Sequence, residues 1–102
     1  MARASRMPTL SGKETVILEL LLDGHEMYGL ELVGASKRRL KRGTVYVTLQ
    51  RMEEKGYVQS RLDAPNRSTP GLPRRLYEAT AAGRRVYDLW TMVRAKLHLE
   101  PA

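Results

Sequence analysis

Lys37-Arg-Arg-Leu-Lys-Arg-Gly-Thr-Val-Tyr-Val-Thr-Leu-Gln-Arg-Met-Glu-Glu-Lys-Gly56 joins a cationic run to an amphipathic segment. Five of the six residues from Lys37 to Arg42 are basic. Gly43 and Thr44 then open a helix that runs through about Lys55, with Thr44 as its N-cap and Gly56 as its stop. Val45, Leu49 and Met52, spaced four and three apart, share one face and read as core. Thr44, Val47, Arg51 and Glu54 fall on the opposite face, flanked by Thr48 and Gln50. Such a helix is expected to bury one side and hold the other out to solvent or to a partner.

Upstream, residues 1–9 form a basic arm expected to be flexible, after which Ser11 and Glu14 have the spacing of a capping box. The apolar run from Thr15 to Leu22 predicts a core helix, stopped by Asp23-Gly24. A second helix is predicted from Met27 or Tyr28 to about Arg38. Downstream of Gly56 the periodicity changes to two: Tyr57–Asp63 and Arg74–Ala79 read as the strands of a hairpin. The Pro- and Gly-rich residues 64–73 between them form its loop. Thr80 caps a last helix, along which Val86, Leu89, Trp90, Val93 and Leu97 make an apolar stripe that needs a cover.

The fold class that follows is mainly α with a small β-hairpin. Three helices and a hairpin in this order give a winged helix-turn-helix over residues 10–79, followed by a C-terminal dimerisation helix over 80–98 and a tail at 99–102. With 102 residues and 42% hydrophobic content, but no Phe, the chain builds one lean core, and a second copy would add to it.

Eighteen basic against eleven acidic residues leave a formal charge of +7, a field that attracts polyanions. No cysteine is present, so neither disulfides nor thiolate metal sites arise. His25 and His98 have no carboxylate cluster at ligand spacing, and no cofactor is expected. For His25, in the loop after the first helix, a surface or capping role is expected. No Ser-His-Asp pattern, phosphate loop or metal motif is present, so no enzymatic activity is expected. No targeting segment or apolar run of membrane-spanning length occurs, and a cytoplasmic location is expected.

Charge placement points to double-stranded DNA. Lys37, Arg38, Arg39, Lys41 and Arg42 precede the third helix, where phosphates would meet side-chain cations and unpaired helical N–H groups. Arg61, Arg67, Arg74 and Arg75 on the hairpin extend the basic surface, each more suited to phosphate than to base contact. On the third helix, Thr44 and Thr48 offer hydroxyls and methyls, Val47 an apolar contact, and Gln50 or Arg51 bidentate contacts to adenine or guanine. Tyr46 either reaches a phosphate or packs its ring.

The combination Tyr28-Gly-Leu-Glu-Leu32, Gly43-Thr-Val-Tyr46, Leu49, Arg51-Met-Glu53, Gly56-Tyr-Val58, Tyr77-Glu-Ala-Thr80 and Gly83-Arg84 resembles the PadR transcriptional regulators over roughly residues 10–90. The resemblance implies that the Gly-Thr-x-Tyr opening and the Leu-x-Arg-x-Glu after it lie on the recognition helix. It also implies that Tyr-x-x-Thr-x-x-Gly-Arg joins wing to last helix. A dimeric repressor on a palindromic operator is implied, of the short subgroup with one C-terminal helix providing the dimer contact. Two positions depart from the pattern: Val47 stands where many members have Pro, and Ala79 where Leu is common.

Trp90 lies where some short members hold planar drugs, so a repressor released by a planar small molecule near Trp90 is an alternative. A winged-helix module that binds a partner protein through the stripe from Val86 to Leu97 is another.

Overall fold

The computed structural model describes residues 9–64, 71 and 73–99. The elements run α1 (Gly12–Gly24), β1 (Glu26–Tyr28), α2 (Gly29–Ala35), α3 (Arg42–Glu54), β2 (Val58–Asp63), β3 (Arg74–Ala79) and α4 (Ala81–Leu99). The basic arm 1–8, loop residues 65–70 with Arg67, and the tail 100–102 lie outside the described residues.

The capping box at the start of α1 forms as its spacing predicts: Glu14 N–H donates to Ser11 Oγ at 3.2 Å, and Ser11 N–H to Glu14 Oε1 at 2.9 Å. Glu14 is buried, and its second oxygen accepts from Lys55 Nζ at 2.8 Å. One carboxylate thus caps α1 and ties it to the C-terminal end of α3. His25 caps the other end of α1, its N–H bonded to Leu21 O at 2.8 Å, with φ at 72°.

The sheet has three strands rather than the two of a hairpin. β3 is central in the order β1-β3-β2, and both pairings are antiparallel. Met27 lies opposite Tyr77, and Ser60 opposite Tyr77 on the other side. Three residues are too short a run to show alternation, so β1 exists only because β3 offers it a free edge. Its presence shortens α2 to Gly29–Ala35, well short of the Met27–Arg38 span that periodicity suggests.

Ile17, Leu18 and Leu21 from α1, Leu32 from α2, Leu40, Val45, Leu49, Met52, Val58, Tyr77 and Val86 form one buried cluster. Burial of such side chains contributes roughly 1.5–3 kcal/mol each, which makes this cluster the main source of stability. Val86 is therefore core in its own chain, a correction to its placement in a dimer stripe: the uncovered part of α4 begins at Leu89.

Thr80 caps α4 as expected, its Oγ1 accepting from Gly83 N–H at 3.0 Å. Gly83 itself passes so close to the residue ahead of β2 that a Cβ there would lie 2.1 Å from the Tyr57 carbonyl oxygen. That carbonyl is held by Thr80 N–H at 3.0 Å and cannot withdraw freely. Gly83→Ala is expected to cost about 2 kcal/mol by overpacking and to lower the thermal midpoint by roughly 10 °C; an unchanged circular-dichroism melt would refute this account.

Candidate nucleic-acid interface

The region between α2 and α3 is built around Ser36. It is fully buried, its Oγ donating to Val33 O at 2.8 Å and accepting from Leu40 N–H at 3.0 Å. Leu40 drops into the core, and the chain swings out between these two anchors. Lys37 and Arg38 adopt φ values of 54° and 74°, a left-handed backbone that costs side-chain-bearing residues energy. Both are exposed, as are Lys41 and Arg42. Arg39 is exposed too, with Nε donating to Ser36 O at 3.1 Å.

Helix α3 starts one turn earlier than its sequence suggests. Lys41 is the N-cap residue and supplies no side-chain cap, whereas Thr44 lies inside the first turn with Oγ1 donating to Lys41 O at 3.4 Å. Lys41 O already accepts from the N–H groups of Thr44 and Val45. The earliest N–H groups of α3 thus point out beside Lys41 and Arg42 with no side chain capping them.

Val45, Leu49 and Met52 are buried as predicted. Outward stand Val47 at 52% exposure, Tyr46 at 46%, and the exposed Gln50 and Arg51. Thr48, expected on the flank of this face, lies at the edge of the groove there but is largely buried, its hydroxyl donating to Thr44 O at 3.1 Å. That back-bond satisfies a small polar side chain against the helix, an outcome a helical wheel does not foresee. Tyr46 packs its ring over Gly29, where any Cβ would come within 2.5 Å of the ring. An open groove of about 830 Å³ runs between α3 and the start of α1, lined by Val47, Arg51 and Lys13 among others.

The hairpin cations separate into two kinds. Arg61 is bound to Glu26 through Nε at 3.2 Å and Nη2 at 3.1 Å, and lies 3.9 Å from Asp63. The hydrogen bonds to Glu26 raise its pKa further, and its charge is paired with carboxylates although most of the side chain stays exposed. Arg75 donates to Ser60 Oγ at 3.0 Å, and Ser60 Oγ in turn donates to Glu53 at 2.8 Å, linking wing to α3. Arg74 lies over the ring of Tyr28, 4.0 Å from its centroid. The Tyr28 hydroxyl donates to Asp63, whose carboxylate raises the hydroxyl's pKa above the ordinary tyrosine value and keeps it a donor. The Tyr77 hydroxyl is likewise raised, chiefly by burial.

On α4, Leu89 and Val93 are half-buried, while Met92 and Leu97 are 65% and 68% exposed. Trp90 is half-buried and packs against the core of its own chain. Sequence reasoning missed the Tyr28–Asp63 and Lys55–Glu14 contacts, because the partners lie 35 and 41 residues apart.

Three helices, a wing hairpin and the short strand ahead of α2 define a winged helix-turn-helix, the architecture of PadR regulator structures. The model of the PadR-like transcriptional regulator family matches residues 17–89, and the chain belongs to that family. Its members are transcription regulators rather than enzymes. Among solved structures it is similar to a PadR family regulator from Clostridium difficile R20291, at 25% identity and TM-score 0.68, covering 86% of this chain and 96% of that one. A PadR family regulator from Eggerthella lenta DSM 2243 is 27% identical with TM-score 0.65, covering 84% and 71%. Bacillus subtilis PadR, solved in complex with operator DNA, has TM-score 0.71 at 20% identity, a likeness of fold covering 83% of this chain and 49% of that one. No curated protein matches the chain.

Glycine relieves the strain of the left-handed backbone at Lys37 and Arg38. Lys37→Gly and Arg38→Gly are each expected to raise unfolding free energy by about 0.5 kcal/mol, the relief exceeding glycine's entropy cost. A lower urea midpoint in both variants would overturn this.

Proposed function

We propose that the chain is a DNA-binding repressor that acts as a homodimer on a palindromic operator. The observation that carries this is the two-sidedness of α3. Its inner face is locked in the core, while its outer face, with Val47, Gln50 and Arg51, is exposed directly after the basic turn. A helix so presented fits the major groove, with Thr44, Tyr46, Val47, Gln50 and Arg51 toward bases and adjoining phosphates. Lys37, Arg38, Arg39, Lys41, Arg42, Arg74 and Arg75 would contact the backbone, which fixes register without reading sequence. Bacillus subtilis PadR, of the same fold, binds operator DNA, which supports the reading.

The dimer rests on Leu89, Met92, Val93 and Leu97, an apolar strip of α4 that its own chain leaves partly or largely uncovered. Apposition of two such helices would set the two copies of α3 about one helical turn of DNA apart, so a two-fold protein would select a two-fold site. Bound at a promoter, the dimer would block transcription. None of the described helices is long and apolar enough to cross a membrane, and such a regulator would work in the cytoplasm.

Selection from random duplexes followed by fluorescence anisotropy tests the reading. Affinity is expected to fall roughly a thousandfold or more between low and physiological salt, as for six to ten neutralised phosphates; no binding at low salt would sink it in favour of a protein-interaction module. Arg51→Ala is expected to cost about 1–3 kcal/mol on the selected duplex and far less on scrambled DNA. Equal losses would make Arg51 a phosphate contact.

A further inference from the structure

Tyr28, Asp63 and Arg74 come from β1, β2 and β3, and meet at one end of the sheet. Asp63 is paired with Arg74 across β2 and β3, and Tyr28 with Leu76 across β1 and β3. The Tyr28 hydroxyl donates to Asp63, and the Arg74 guanidinium lies on the Tyr28 ring at 4.0 Å. Beside this group is a cleft of about 330 Å³ between the start of α2, Tyr46 of α3 and the wing, whose walls include Tyr28, Gly29, Tyr46, Arg74 and Arg75. Glu31 also borders the cleft, but its carboxylate accepts the Tyr28 N–H at 2.8 Å and serves the start of α2.

Two of the wing arginines are held by different means. Arg61 is oriented by carboxylates, which fix its direction and occupy part of its donor set. Arg74 makes no ion pair among the described residues and is oriented by an uncharged ring. A ring restrains a guanidinium through its π face while leaving the charge and most N–H donors free for an anion. The ring cannot swing away, because its hydroxyl is tied to Asp63. An arginine restrained before binding loses less conformational freedom when it meets its ligand.

Resting on the DNA-binding reading above, we infer that Tyr28 is a positioning residue for DNA: it holds Arg74 at the cleft shared with Tyr46, and that cleft receives one phosphate of the duplex backbone. Tyr28 itself need not touch DNA. Its contribution passes through Arg74, and this sets it apart from a tyrosine that merely stabilises the sheet.

A double-mutant cycle on the full chain separates the two roles, with affinity for the selected duplex and its salt dependence as readouts. Tyr28→Leu is expected to weaken binding roughly fivefold and to reduce the slope of log K against log salt by about 0.9, the signature of one lost phosphate contact. Over Arg74→Ala, the same substitution is expected to change neither quantity. An equal loss in both backgrounds, or an unaltered slope, would overturn the inference. Should Tyr28→Leu fail to fold, Tyr28→Phe keeps the ring and removes only the tie to Asp63. A loss of roughly twofold is then expected in the native background and none over Arg74→Ala; equal losses overturn the inference here too. Failure of the unmodified protein to bind DNA would instead count against the functional reading itself.

Discussion

Burial of Val45, Leu49 and Met52 beneath α1 and α2 fixes the rotation of α3 about its own axis, and everything the protein presents to a partner depends on that rotation. Each residue turns a helix by 100°, so a slip of one position would carry Val47 and Arg51 off the outer face and bring polar groups into the core. The packing is reinforced at both ends. Glu14 grips Lys55 at the C-terminal end, and Leu40, held by Ser36, enters the core just before the N-terminal end. The same carboxylate of Glu14 also starts α1, so α3 and α1 share one electrostatic anchor.

The charge surplus is distributed by the same economy of partners. Glu14, Glu26, Glu53 and Asp63 are engaged in links between elements, taking up Lys55, Arg61, Ser60 and the Tyr28 hydroxyl. The cations of the basic turn remain exposed. Their backbone is not relaxed: two consecutive side-chain-bearing residues lie in a region that favours glycine. Strain at such a place persists only where the surroundings over-determine it, here through the buried Ser36 and Leu40 on either side.

Much of the fold was legible because local physics decided it. Ser11 and Glu14 announce a capping box, Gly56 closes α3 with φ at 83°, and Thr80 caps α4 through Gly83 N–H. The buried side of α3 followed from its 3.6-residue period, and the wing strands from alternation. The outer positions Val47 and Arg51 followed from the same phase, whereas the burial of the flanking Thr48 did not, because its hydroxyl found a carbonyl one turn back. The start of α3 was misjudged for a related reason. Thr44 has the chemistry of a cap, but the chain reaches helical geometry at Arg42, after the turn imposed by Ser36 and Leu40.

What the chain by itself determined is therefore one-dimensional: caps, stops, periodicity, and a cationic run placed directly before an amphipathic helix. Tertiary structure decided β1, the core role of Val86, the pairing of Arg61 with Glu26, and the seating of Arg74 on Tyr28. Those outcomes join residues of different elements, many of them far apart in sequence. No local pattern records such a meeting, since strand pairing and charge pairing are settled only when the packed core brings the partners within reach.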